Sequence, residues 1–593
     1  MRPGFMHRMR REGSDSHWLS IDRAVLKHFA SYLAPHKSLV FLSSLLLCLN
    51  SLCSLIAPLI TKQIIDGHLL QKQKLVFDLS TLAGFLVLVA FLLWLLDFLR
   101  QKLSVHLGQK MVTTLRCDLL SKVFTQPPKY LQTKGTGNLV SIIIGDVDEL
   151  SQFASTGITN IVGDSLILIG GIVLMFFLNP YLALAVVPVF PLLIFGLIFL
   201  GRLFRAAAKE ERVAAAAVVS GAEEGVSGVR VVQSVTGEKR HSKRFAGLSK
   251  KASKAKVKSS AFFATILPLL SVAGALATAI TLVAGKHLYT EEHVSVGVIV
   301  AFLWYIRILF GPLRELSLVS QVLAGSAASL ERIWPILTDE PEVQYLANGV
   351  ETKTEGPLSI DKLSFSYGEG EVLTDLSFSI GAGEKLIIAG TSGSGKSTLV
   401  YCLARLLSPK NGEIKIGELK IKELSRQGLR HSVLLSPQEV FLFPGTVAEN
   451  ILLAKAETTR EQLEGALEDG GLKEFITSLP NGLDTTVGEG GLLLSGGQKR
   501  LVALARIALS SAPIVLLDEP LAGVDPITFS IVRQSLTKVL AQRTAIITTH
   551  RLDEFVEDED LVLCLHDGKN TGLGKHKELL QSCPHYKKLV AEN

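Results

Sequence analysis

Gly390-Thr391-Ser392-Gly393-Ser394-Gly395-Lys396-Ser397-Thr398 follows the apolar run Lys385-Leu386-Ile387-Ile388-Ala389 and leads into a second apolar run from Leu399 to Leu407. The first run reads as a buried strand and the second as a helix. The residues between them fit G-x-x-x-x-G-K-[ST], the loop that cradles nucleotide phosphates, in the strand–loop–helix setting it requires. Its glycines let the backbone curl so that several N–H groups point inward. The helix start that follows adds the positive end of a dipole. In such a loop Lys396 reaches the β- and γ-phosphates and Ser397 holds Mg2+. The stretch predicts an α/β phosphate-loop domain that binds ATP or GTP.

Outward from that loop the chain divides into two unlike halves. Its 593 residues are too many for one core. Only 20% of residues are charged, low for a soluble protein of this size. The net charge of +6 is modest and does not by itself indicate nucleic-acid binding. The six cysteines, Cys48, Cys53, Cys117, Cys402, Cys564 and Cys583, lack metal-ligand spacing and suggest no disulfide framework.

The first half carries six stretches apolar for about the 20 residues a bilayer requires. They lie near 38–61, 79–100, 157–178, 181–201, 261–285 and 294–313, with Asn179-Pro180 as a tight turn between the third and fourth. Lysine and arginine orient them. The segment after the second span carries Lys102, Lys110, Arg116, Lys122, Lys129 and Lys134, and the one after the fourth is richer still, with a lysine run from Lys250 to Lys258. Both long segments, the N-terminus and the C-terminal half are therefore expected in the cytoplasm. Leu103 to Leu131 and Phe204 to Phe262 are poor in proline and rich in helix formers, so they are expected to continue as helices out of the membrane. Ile21, Leu26, Phe29, Tyr32 and Leu33 share one side of a short helix expected to lie along the membrane surface. Within the spans, Asp97, Asp164 and Arg307 are functional candidates by default. These readings give a membrane domain over 1–336, a polar linker over 337–357 and a nucleotide-binding domain over 358–593.

The second half holds further chemistry. Ile514-Val515-Leu516-Leu517-Asp518-Glu519 reads as a buried strand ending in two carboxylates, about 120 residues after the phosphate loop. There Asp518 can hold Mg2+ through water, and Glu519 can polarise the attacking water as general base. Leu494-Ser495-Gly496-Gly497-Gln498 precedes a helical run and offers a hydroxyl and bare N–H groups as a second anion site. One domain does not need two γ-phosphate sites. A dimer would use both, with this segment of one copy capping the phosphate held by the other.

With these motifs the chain resembles an ATP-binding cassette exporter of the half-transporter type, along nearly its whole length. The resemblance implies an α-helical membrane domain of six transmembrane helices with long cytoplasmic extensions, fused to an α/β phosphate-loop nucleotide-binding domain. Tyr367, in Leu363-Ser364-Phe365-Ser366-Tyr367, matches the aromatic that stacks on adenine. Gln438 matches the glutamine that senses Mg2+ and the attacking water, and His550 the histidine at the γ-phosphate. Ser495, Gly496, Gly497 and Gln498 match the family signature; Val487-Gly488-Glu489 resembles the segment that meets the coupling helices. Gly135 to Val140 with Asp146-Val147-Asp148, and Gly228 to Val232, resemble the two cytoplasmic coupling regions. One departure follows Glu519-Pro520: Leu521-Ala522-Gly523-Val524-Asp525 keeps the family's aspartate but has glycine where serine is usual.

The resemblance implies Glu519, His550 and Gln438 as the catalytic set. Tyr367, Gly390, Ser392, Gly393, Ser394, Gly395, Lys396, Ser397 and Thr398 would hold ATP, and Ser397, Gln438 and Asp518 would serve Mg2+. The implied function is ATP-driven export or flipping of lipids or lipophilic small molecules by a dimer. The partner would be a second copy or a paralogue, with membrane lipids around it and no nucleic acid. The implied location is a bacterial cytoplasmic membrane. The alternative is import of a siderophore-like compound on the same scaffold.

Overall fold

The computed structural model describes residues 31–32, 34–69, 78–153, 155, 158–346, 348–368, 370–552 and 556–592. The expected surface helix at 21–33 lies outside these residues except for Ser31 and Tyr32, which are helical. The chain forms two compact units, one of 1–124 with 135–339 and the other of 125–134 with 340–593.

The first unit is helical. Its main helices are α1 (Lys37–Gln63), α2 (Leu79–Val123), then, beyond α3 (Pro128–Lys134) of the other unit, α4 (Val147–Gln152), α5 (Ile158–Leu178), α6 (Val189–Ser227), α7 (Glu238–Ala264), α8 (Ile266–Thr290) and α9 (Val296–Thr338). Among the described residues, six stretches are long and apolar enough to cross a membrane: Ala34–Gly67, Leu79–Val123, Ile161–Leu178, Pro180–Ser227, Glu238–Thr290 and Val296–Glu315. Most of their apolar surface is uncovered within the chain, as lipid-facing helices require. α2 has 45 residues, roughly 68 Å at 1.5 Å per residue. That is more than twice the roughly 30 Å of a hydrocarbon core, so α2 must run beyond the bilayer. The expected long extensions are helical with three interruptions, at Phe124–Pro127, at Gly228 and at Val235–Gly237. The first coincides with Pro127-Pro128, where the missing N–H groups and the restricted residue before proline end the helix.

Polar side chains pin the helix ends together. Asn179 accepts a hydrogen bond from the Leu182 N–H at 2.9 Å and donates to the His293 carbonyl at 3.0 Å, so one residue makes the turn between spans three and four and ties it to the loop before α9. Buried Asp66, just past α1, accepts from Ser295 Oγ at 2.6 Å and from the Gly297 N–H at 2.8 Å. Ser295 in turn caps α9 by accepting from the Val298 N–H. A Cβ at Gly297 would fall 2.6 Å from the Asp66 carboxyl group, so only glycine allows this approach. Tyr305, fully buried, donates to the Leu55 carbonyl at 2.8 Å.

The second unit contains two sheets. One is antiparallel, in the order β2 (Glu371–Ile380), β1 (Leu358–Ser366), β4 (Asn411–Ile416), β5 (Leu419–Lys420). The other runs β10 (Lys569–Lys575), β9 (Leu561–His566), β3 (Lys385–Ala389), β8 (Thr544–Thr549), β7 (Ile514–Asp518), β6 (Val433–Ser436). Its pairs are parallel except β9 with β10. β7 and β8 are buried along their whole length, which explains the apolar run of β7 up to Asp518 and the Ala545-Ile546-Ile547 centre of β8. β3 lies beside β8, which lies beside β7, so the three strands deliver their carboxyl ends to one edge. In open parallel sheets ligands bind at that edge.

Candidate nucleotide-binding site

The phosphate loop leaves the carboxyl end of β3 and enters α10 (Lys396–Leu403). Its glycines have separate reasons. A Cβ at Gly390 would sit 2.5 Å from both the Leu565 carbonyl oxygen and Ser394 Oγ. Gly393 and Gly395 have φ of +84° and +99°, in the left-handed region. Thr391, Ser392 and Gly393 are exposed at the loop's crest, while Ser394, Gly395, Lys396 and Thr398 are buried. Lys396 Nζ donates to the carbonyls of Gly390 at 2.7 Å and Thr391 at 3.0 Å, folding over its own loop. Burial pushes its ammonium below the usual lysine range, partly offset by the charges of Glu519 and Asp518.

The carboxyl ends of β7 and β8 bring the acids to the same place. Asp518 Oδ1 accepts from Ser397 Oγ at 3.0 Å and from Thr548 Oγ1 at 2.7 Å. Asp518 Oδ2 is buried and has no hydrogen-bond partner among the described residues. A buried carboxylate oxygen left bare beside a hydroxyl is the donor chemistry that a hard cation takes. The residues present therefore fit Mg2+. Glu519 turns the chain with φ of +50°, unusual for a residue with a side chain. Its N–H is held by Thr548 Oγ1 at 2.9 Å. That turn carries its carboxylate to Gln438 and His550: Gln438 Nε2 donates to Glu519 Oε2 at 2.9 Å, and His550 Nδ1 lies 3.3 Å from the same oxygen. Glu519 is largely covered while His550 and Gln438 stay exposed, so the triad opens to solvent on one side.

Tyr367 is partly exposed and its hydroxyl lies 3.5 Å from Thr398 Oγ1, which links the aromatic to α10. Phe365 meets it edge-on, with ring centroids 4.8 Å apart. Lys129, on α3, donates to the Tyr367 carbonyl at 3.0 Å and places Nζ 4.3 Å from the centre of its ring. Sequence reasoning took Lys129 only as one positive charge among several. No local pattern signals a contact across 238 residues.

The Ser495 segment stands apart from this cluster. Ser495 Oγ accepts from the Gln498 N–H, and the Gln498 side chain accepts from the Ser495 N–H, a reciprocal cap at the start of α11 (Gly496–Leu509). Ser495 and Gly496 are exposed. Gly497 is buried, and a Cβ there would meet Thr528 at 2.5 Å, so its bareness serves the packing of α11 on α12 (Pro526–Leu540). Asp525 caps α12 by accepting from the Thr528 N–H. Gly523, the departure from the family pattern, has φ of +71°, a conformation that serine adopts only with strain. Arg500 secures the turn by donating to the Ala522 carbonyl.

In the first unit the coupling-region aspartates have charged partners. Asp146 is buried and receives Arg332 Nε at 2.7 Å, while Ser329 donates to Glu149 Oε2 at 2.7 Å. Asp148 pairs with Arg116 at 2.9 Å. Arg332 and Ser329 were not visible as partners in the sequence, since they lie 186 and 180 positions away and belong to no motif.

The description "ABC transporter transmembrane region" matches residues 40–313, and "ABC transporter" matches residues 373–522. The chain belongs to the ABC transporter family. An ABC transporter ATP-binding protein of Bacillus subtilis, YknV, is 30% identical over 94% of this transporter and 93% of its own length. An ATP-dependent lipid A-core flippase of Nitrosococcus oceani is 29% identical, covering 95% and 94%. A Staphylococcus aureus protein named for multidrug export is 30% identical, covering 96% and 99%. A solved bacterial Atm1-family ABC exporter with ATP bound superposes with a TM-score of 0.79 over 94% of this chain and 98% of its own, at 24% identity, which speaks to the fold. The fold expected from the sequence, six membrane helices followed by a nucleotide-binding domain, is the one found. The transporter is an integral membrane protein of exporter type, and the importer alternative finds no support among these relatives.

Proposed function

We propose that this half-transporter hydrolyses ATP as a dimer and uses the cycle to export or flip lipids or lipophilic small molecules across a bacterial cytoplasmic membrane. The observation that carries the reading is the cluster at Glu519: one carboxylate, placed by a left-handed turn, with Gln438 and His550 on the same oxygen. Names of relatives covering over nine-tenths of the chain, a lipid A-core flippase and a multidrug export protein, support the cargo class.

Each residue has a role in this reading. Lys396 exchanges its two loop carbonyls for phosphate oxygens, with little change in its hydrogen-bond count. Exposed N–H groups around Ser392 and Gly393 face the phosphates, and Ser394 and Thr398 hold the loop and helix start in shape. Tyr367 stacks the adenine. Ser397 and Asp518 hold Mg2+, which when bound neutralises charge on the β- and γ-phosphate oxygens. Glu519 takes the proton of the attacking water, Gln438 orients that carboxylate, and His550 meets the γ-phosphate. Ser495, Gly496 and Gly497 of a second copy close the site. The exposure of Ser495 and Gly496, with that of Phe441, Phe443, Leu492 and Leu493, supports an uncovered face on the isolated unit.

The test is reconstitution into sealed vesicles with the nucleotide-binding domain outside. Mg2+-dependent hydrolysis coupled to uptake of a lipophilic probe into the lumen is the expected result. Hydrolysis that drives the probe out of the lumen would reverse the direction. Hydrolysis at full rate by separated single copies would remove the dimer from the mechanism.

A further inference from the structure

We propose that the cavity between α8 and α9 is a binding site for an amphiphile with an anionic head, a phosphate or carboxylate, whose charge is met by Arg307. The inference deepens the transport reading above and rests on it for the site's purpose.

The cavity holds about 430 Å3, with Arg307 and Arg314 on its wall beside Leu267, Thr278, Leu303 and Phe310. Arg307 and Arg314 are seven residues apart on α9, which puts them on one face about 10 Å apart along the axis. Arg307 lies eleven residues into the span that begins at Val296. That is about 16 Å into a hydrocarbon layer of about 30 Å. A guanidinium at mid-membrane is costly unless something pairs with it.

Its own chain supplies no such partner. Arg307 is exposed to the cavity and has no hydrogen bond or ion pair among the described residues. None of the acids of the described spans pairs with Arg307. Asp97 pairs with Arg100 and accepts from Gln101. Glu315 pairs with Arg314. The charged neighbours of Asp164 are Glu315 and Arg100. A planar, fixed cation with five donors matches a two-oxygen anion. The leucines and Phe310 around it match an alkyl chain, and Thr278 adds a hydroxyl for a polar head. A cationic drug fits this wall poorly, since it would face the unpaired Arg307.

Equilibrium dialysis of the full-length protein in neutral maltoside micelles tests the assignment. The probes are radiolabelled dodecyl phosphate, dodecyltrimethylammonium and inorganic phosphate, each corrected against empty micelles. Wild-type protein is expected to bind dodecyl phosphate at least ten-fold more tightly than either other probe. Arg307→Ala is expected to lose at least ten-fold of that affinity, and Arg307→Lys to keep most of it. Leu303→Trp fills the cavity with the charge intact and is expected to weaken dodecyl phosphate too, which keeps the test open if Arg307→Ala does not fold. Competition by phosphatidylglycerol would make a bilayer lipid the source of the anion; its failure to compete would point to a free amphiphile. Equal binding by wild type and Arg307→Ala overturns the proposal. So does dimer loss in Arg307→Ala that Arg307→Lys restores, because Arg307 would then pair with an acid of the second copy. Mg2+-dependent ATP hydrolysis by the same wild-type preparation separates the two readings. Hydrolysis without anion selectivity removes this site alone, and selectivity without hydrolysis removes the transport reading alone.

Discussion

Replacing Glu519 with glutamine isolates charge from shape. The left-handed turn at Glu519 is fixed by its backbone, with the N–H held on Thr548 Oγ1, and glutamine has the same Cβ and length. Its amide oxygen can still accept from Gln438 Nε2, where the carboxylate now accepts at 2.9 Å. Only the negative charge and the proton-accepting capacity are lost. General-base catalysis contributes about 10²–10⁴-fold, equivalent to about 3–5 kcal/mol of barrier. The turnover number of Glu519→Gln is therefore expected to fall by that factor, while ATP affinity stays within about three-fold, since Lys396 and Tyr367 are untouched. A phosphate-release assay gives the first quantity and titration with a fluorescent ATP analogue the second. Turnover within ten-fold of wild type would refute the base assignment. Unchanged turnover per bound nucleotide with affinity lost more than ten-fold would make Glu519 a binding residue.

The other expectations concern single contacts. Lys396→Ala removes a buried cation from the loop and should raise the ATP dissociation constant at least ten-fold, by the same titration. Chelating Mg2+ should abolish hydrolysis reversibly, and Asp518→Asn should raise the Mg2+ concentration for half-maximal rate about ten-fold, because the bare oxygen at that position loses its charge. Gly297→Ala forces a Cβ to within 2.6 Å of the Asp66 carboxyl group and should cost about 2 kcal/mol through two weakened charge-assisted hydrogen bonds; a thermal-unfolding midpoint in detergent no lower than wild type would contradict it. Lys129→Ala uncovers the Tyr367 ring and should tighten ATP binding about two- to five-fold, the value of an exposed cation–π contact; weaker binding would show that Lys129 assists the nucleotide.

What the sequence could reveal followed from how local each feature is. Gly390, Gly393 and Gly395 announce a phosphate loop because the backbone geometry they permit is written in consecutive residues. The β7 strand announces its acids because a strand buried on both faces is apolar along its length, so Asp518 and Glu519 stand out where they break the run at its carboxyl end. Spans were legible because lipid tolerates few charges over 20 residues. Contacts between remote segments were not. Asp66 looks like an ordinary acid after a span, yet it is held by α9 more than 200 residues later. Asp146 sits in a segment whose family resemblance was visible, but its partner Arg332 is one basic residue of a long helix. The sequence expects Gly497 to offer a bare N–H to an anion, and the structure gives its bareness a second reason in Thr528. The glycine at 523 looked like a loss from the family pattern until its φ of +71° gave it a use.

The two ends of the nucleotide site differ in what they can tell the rest of the molecule. At the proposed adenine end, Lys129 on Tyr367 is an exposed contact between a cation and a ring, worth about 0.5–1 kcal/mol. ATP and ADP carry the same adenine, so this contact cannot tell them apart. At the proposed phosphate end, Lys396, Ser397, Gln438 and His550 would make or lose charge-assisted hydrogen bonds worth about 1.5–3 kcal/mol each. A ligand shifts a conformational equilibrium only by its differential affinity for the two states, and a near-complete switch needs about 5.5 kcal/mol. Two or three phosphate contacts reach that figure, and one ring contact does not. In the proposed cycle the drive would therefore sit with the residues that hydrolysis releases, and the segment bearing Lys129 would adjust how readily the nucleotide enters.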